Sequence, residues 1–144
     1  MFGQVKWVVP VLTILIVLVT GCTGSENAAT NEMPEMIKVQ FVVPEKATVQ
    51  EPVALQIKLT QGGQPVEAAD HVQFQVWNEL DGAPEQALMT AEDLKELGAL
   101  DAMEVDKGLY EIQHTFEEPG TYIVQVHVTH GAMHSMPKKK IIVE

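Results

Sequence analysis

From Val126 to Lys138 the chain reads Val-His127-Val-Thr-His130-Gly-Ala-Met133-His134-Ser-Met136-Pro-Lys. Three of its five histidines and two of its seven methionines fall in this stretch. Imidazole suits copper in either oxidation state, and thioether is a soft donor that favours Cu(I). His127, Met133, His134 and Met136, together with His130, are therefore candidate copper ligands. Both donor types stay uncharged when bound. Thioethers do not titrate, so such a site keeps part of its affinity at mildly acidic pH, where imidazoles begin to protonate. It also survives in an oxidising compartment where a thiolate site would not.

The same residues have a structural reading. Methionines beside a final strand often close the end of a core as adaptable fillers. His127 can be an exposed strand residue, His130-Gly131 can make the turn, and Pro137 can stiffen entry to the last strand. The remaining candidates point the same way. His114 shares a face with Tyr110, Ile112 and Phe116, as a core or rim histidine would. His71 follows Asp70 at the opening of a strand and reads as a turn contact. Trp77 points away from Phe74 and Val76, to be covered by a later segment or used as a contact. Lys138-Lys139-Lys140 fits an edge strand guarded against pairing.

No catalytic set emerges. Ser25 and Ser135 are the only serines, no phosphate-cradling glycine loop is present, and H-E-x-x-H is absent. The chain is not expected to be an enzyme. Its net charge of −11 repels nucleic acid and anionic lipid surfaces alike.

The elements that must position the His/Met cluster follow period two, the mark of half-buried strands. Ile37, Val39 and Phe41 form one inward row, and Val53, Leu55, Ile57 and Leu59 a second. Val72, Phe74 and Val76 make a third. Tyr110, Ile112, His114 and Phe116 follow, then Tyr122, Val124, Val126 and Val128. Lys138 to Val143 closes the sheet. Gln61-Gly-Gly-Gln-Pro65, Asp106-Lys-Gly108 and Glu117-Glu-Pro-Gly120 are turns. Residues 79–106 form an acidic insertion with one helical window, Ala91 to Leu97, capped by Thr90 with Asp93 at the third position and Gly98 as the stop. The expected fold is all-β: a single immunoglobulin-like sandwich of about seven strands with a short helical insertion. Because Val124, Val126 and Val128 face inward, His127 must face outward, within reach of solvent or of a neighbouring strand. His130, Met133, His134 and Met136 are expected in a loop free of ladder constraints.

The N-terminus says where such a domain works. Lys6 precedes a nearly unbroken apolar run from Trp7 to Val19, ending in Thr20-Gly21-Cys22. That is an export signal, shorter than a spanning helix. It resembles the bacterial lipobox, in which the cysteine is lipidated and becomes the mature N-terminus. Residues 1–21 are read as signal, 22–35 as a polar tether from Cys22, and 36–144 as the domain. The only cysteine is then acylated, so neither disulfide nor thiolate chemistry remains. The expected location is the extracytoplasmic face of a cell membrane.

Asp106-Lys-Gly-Leu-Tyr110, Phe116-Glu-Glu-Pro-Gly-Thr-Tyr122, Val126-His127-Val128 and Met133-His134-Ser-Met136-Pro-Lys138 together resemble the YtkA-like (FixH-like) domain of bacterial lipoproteins. The His134-x-Met136 pair also resembles the ligand pair of periplasmic copper chaperones of the PCuAC type. The YtkA-like resemblance implies a membrane-tethered β-sandwich, with some members linked by context to copper handling or oxidase assembly. It implies membrane contact through the lipid, and a membrane oxidase or copper-transport system as partner. The alternative is a metal-free protein-interaction module of the cell envelope, built on the same loop and Trp77. The insertion departs from the shorter pattern of that family.

Overall fold

The computed structural model describes residues 33–84 and 89–144. The signal, Cys22 and most of the tether lie outside the described residues. Met33 to Glu144 forms one compact unit.

Two sheets face each other. The first contains β1 (Lys38–Val42), β3 (Pro52–Gln61), β4 (Gln64–Pro65), β7 (Met103–Asp106) and β8 (Leu109–Thr115). Its order is β1-β3-β8-β7, with β4 also paired to β3. The second contains β2 (Lys46–Ala47), β5 (His71–Asn78), β6 (Leu100–Asp101), β9 (Gly120–His130), β10 (Met133–Ser135) and β11 (Lys138–Val143). Its order is β2-β11-β9-β5-β6, with β10 also paired to β9. All pairings are antiparallel except β2 with β11. The all-β sandwich expected from the sequence is present. More strands are found than the seven expected, because elements such as β2, β4 and β6, two residues each, are too short to show a period.

Inward rows meet as the alternation predicts. Leu55, Ile57 and Leu59 of β3 lie fully buried opposite Phe74 of β5, Val124, Val126 and Val128 of β9, and Ile141 of β11. Each such side chain contributes roughly 1.5–3 kcal/mol of hydrophobic stabilisation. Tyr110 adds a polar anchor within this core. Its hydroxyl donates to Val66 O (3.0 Å) and accepts from Ala69 N (2.9 Å). This ties β8 to the segment between β4 and β5.

The insertion proves more regular than expected. After a 3₁₀ turn at Glu79–Asp81, α1 (Ala91–Glu96) begins at Thr90 with a full capping box to Asp93, and Gly98 takes a φ of 84° just past its end. Then β6 extends the second sheet and β7 crosses to extend the first. The insertion thus lays one edge strand on each sheet. The lysines of β11 lie largely on an open edge, since β2 pairs only with Ile142 and Val143.

Candidate metal centre

The His/Met cluster is a hairpin rather than a free loop. Strand β9 runs on to His130, Gly131-Ala132 make the turn, and β10 returns from Met133. Gly131 supplies a φ of 58°, which a tight hairpin turn needs and an L residue resists. Its N–H donates to Asp70 Oδ2 (2.7 Å), pinning the turn to the start of β5. Asp70 therefore makes the turn contact here, beside an exposed His71.

Cross-strand register sorts the five candidate ligands. Met133 pairs with His130, and His134 pairs with Thr129. Directly paired residues share a face and successive ones alternate. His130 and Met133 therefore lie on the inward side with Val128, while His127 and His134 lie on the outward side. Met136 follows β10 and is exposed. Strand alternation thus separates the five into an inner pair, an outer pair and one exposed thioether.

The inner pair closes the end of the core. Met133 is half-buried against it, and its Sδ meets Gln61 Nε2 at 3.8 Å. Gln61 Nε2 also donates to Glu35 O (2.8 Å), which brings the backbone just before Met36 to this corner. Across the pair, His130 Nδ1 is buried and has no hydrogen-bond partner among the described residues. An orphaned buried nitrogen costs about 1–3 kcal/mol, and native proteins seldom leave one without a water or ion to satisfy it.

The outer pair is differently placed. His127 is only 5% exposed, so of the two expected settings, solvent or a neighbouring strand, the structure shows the second. Its Nε2 lies 3.2 Å from Gln75 Oε1 on the neighbouring strand. With that carbonyl as acceptor, the imidazole carries its proton on Nε2 and keeps the lone pair on Nδ1. Burial holds its pKa below the ordinary histidine range, and nearby His134 and Lys138 push it the same way. The His127 and His134 rings stand 6.5 Å apart, and His134 Nδ1 lies 3.0 Å from Thr129 Oγ1.

His127 shares its face with Gln73, Gln75 and Gln125, all buried. Gln73 Nε2 donates to Ala91 O of α1 (3.0 Å) and to Asp101 Oδ1 of β6 (2.9 Å). The insertion therefore clasps the strand beside the cluster. Nothing in the sequence warns of this layer, because alternating glutamines read as solvent-facing. Among the described residues no group of three or more His, Cys, Asp or Glu side chains could hold a metal ion. A centre with three or more side-chain donors at this hairpin would include a thioether.

Over residues 31–127 the sequence matches the YtkA-like family. The chain belongs to that family. The match includes the insertion and ends at His127, so His130, Met133, His134 and Met136 lie beyond it. Family membership speaks for the sandwich and not for the hairpin. No curated protein matches the chain. Among solved structures, a crystallised engineered protein is similar at a TM-score of 0.53 and 15% identity, over 77% of this chain and 21% of that one. The chain thus spans about a fifth of that protein's length, and the likeness is one of fold. The Lin-41 filamin domain is similar at a TM-score of 0.46 and 13% identity, over 74% and 91% of the two chains. A single-residue variant of the superoxide reductase (neelaredoxin) from Ignicoccus hospitalis is similar at 0.46 and 17%, over 81% and 86%.

Proposed function

We propose that this YtkA-like domain is a lipid-anchored, extracytoplasmic Cu(I)-binding protein without catalytic activity, whose hairpin holds the ion for transfer. The observation that carries the reading is His130 Nδ1, buried without a partner among the described residues, on the strand position paired with Met133. An imidazole nitrogen beside a thioether is a donor set that Cu(I) satisfies and that harder divalent ions do not prefer. Met136, exposed just past β10, and His134, exposed on the opposite face of the hairpin, offer donors for passing the ion on by ligand exchange. His127, hydrogen-bonded to Gln75, lies on the outward face with its ring 6.5 Å from that of His134. The recipient is a membrane oxidase or a copper-transport system, reached from the anchor at Cys22.

The test is a Cu(I) titration of the domain from Thr23 onward against a chromophoric Cu(I) chelator. That domain retains the whole described core. Met133→Leu/Met136→Leu keeps most of the apolar volume and removes both sulfurs. One-to-one binding in the wild type, lost in the double variant and weakened in His130→Gln, is the expected result. Equal binding by wild type and double variant, or none by either, sinks the proposal. The anchor is tested by mass: protein recovered from membranes begins at Cys22 and carries added acyl mass, and Cys22→Ser carries none. A wild type without that added mass rules the lipid anchor out.

A further inference from the structure

At the other end of the sandwich, between the end of β5 and the corner joining β8 to β9, lies an open cleft of about 570 Å³. Its wall is aromatic. His114 meets Phe116 edge-on at 4.7 Å between ring centroids, and Phe116 meets Tyr122 at the same separation. Tyr122 donates from its hydroxyl to Glu118 O (3.0 Å), which fixes the turn carrying Glu117 and Glu118. Trp77 stands on the β5 side, half-buried.

The charge in this cleft has one sign. Asp81, Glu117 and Glu118 line it, and no lysine does. Among the described residues none of the three carboxylates makes an ion pair, whereas nearby Glu79 is bonded to Lys140. His114 adds no positive charge at neutral pH, because burial holds its imidazole below the ordinary range. Outside the cleft, Lys138 Nζ lies 5.6 Å from the centroid of the Trp77 ring, on the outward face of the sheet.

We propose that this cleft binds an arginine side chain presented by an exposed segment of a partner protein. Aromatic faces flanked by carboxylates suit guanidinium better than ammonium. It is planar, stacks on rings, forks onto carboxylates and gives up its hydration more readily. A second copy of this chain cannot supply the group, because all nine basic residues are lysine. Leu80, 94% exposed on the rim, offers an apolar contact to the residues flanking the arginine, as a free small cation would not require. The inference is independent of copper. Tyr122 and His130 are eight strand positions apart along β9, which places the two ends roughly 25 Å from each other.

The experiment is an NMR titration of the full-length protein in nonionic detergent. The probes are a capped arginine–glycine repeat peptide and the same peptide with citrulline, the uncharged isostere, at each arginine. The arginine peptide shifts the Trp77 indole and Tyr122 resonances, and the citrulline peptide does not. Glu117→Gln/Glu118→Gln weakens binding by roughly fivefold to tenfold, the loss of two partly exposed charge contacts. Glu67→Gln/Glu96→Gln removes the same charge elsewhere on the surface and leaves binding unchanged. Equal weakening by both double variants reduces the effect to net charge and overturns the proposal, as does the absence of shifts at Trp77. Equal binding of a lysine–glycine peptide overturns the guanidinium assignment.

Discussion

His127 shows how a side chain's surroundings decide its chemistry. Buried and bonded to Gln75, it is held neutral in the folded protein, with His134 and Lys138 adding to the effect of burial. In the unfolded chain a histidine titrates near about 6.5. Below that pH the unfolded state binds a proton that the folded state refuses. The metal-free domain therefore loses stability as pH falls through about 6.5, and the loss levels off once the folded-state value is passed. His114 is lowered by burial too, with Glu117 opposing, and adds to the same trend. Urea denaturation at pH about 7.5 and about 5.5 measures it. His127→Gln, which can keep a bond to Gln75, should shrink the difference between the two; an unchanged difference would mean that His127 does not set it. The direction in which His127 points was legible in the sequence from Val124, Val126 and Val128. Its burial was not. The cover over the neighbouring Gln73 comes from Ala91 and Asp101, positions that period-two reasoning along β9 cannot reach.

Among the elements, α1 was the most legible and the hairpin the least. Thr90, Asp93 and Gly98 stand at the positions that capping physics requires, and the structure uses each of them. By contrast, Gly131-Ala132 is not one of the strong two-residue turn signals, and the Asp70 carboxylate that fixes it is sixty-one residues away in sequence. Strands β6 and β7 escaped notice because their partners, not their composition, make them strands. The helix is short, with Leu94 its only buried residue, so its cap matters. Thr90→Ala should cost about 1 kcal/mol locally. Hydrogen exchange should quicken in α1 while the amides of β3 and β9 keep their protection. Uniform acceleration through both sheets would instead make the insertion part of the global folding unit.

On the scale of the whole molecule, the sandwich carries the His/Met hairpin at one end and the acidic, aromatic cleft at the other. The inward rows that predict it are nearly all found in the core, which is why the fold could be read from the sequence. The ends could not, since each is assembled from strands distant in the chain. The cleft joins β5, β8 and β9, while the hairpin gathers Gln61, Asp70 and the backbone of Glu35. Sites this far apart should act independently. Arginine-peptide affinity should match with and without Cu(I), and Met133→Leu/Met136→Leu should leave it unaltered; a several-fold change in either case would show that the ends communicate. Trp77 has a practical bearing on this. A domain beginning at Thr23 contains no other tryptophan, and this one stands in the cleft with Lys138 against its ring. Its fluorescence is a built-in gauge of that end of the molecule, so a peptide arriving at the cleft can be followed optically with no label attached.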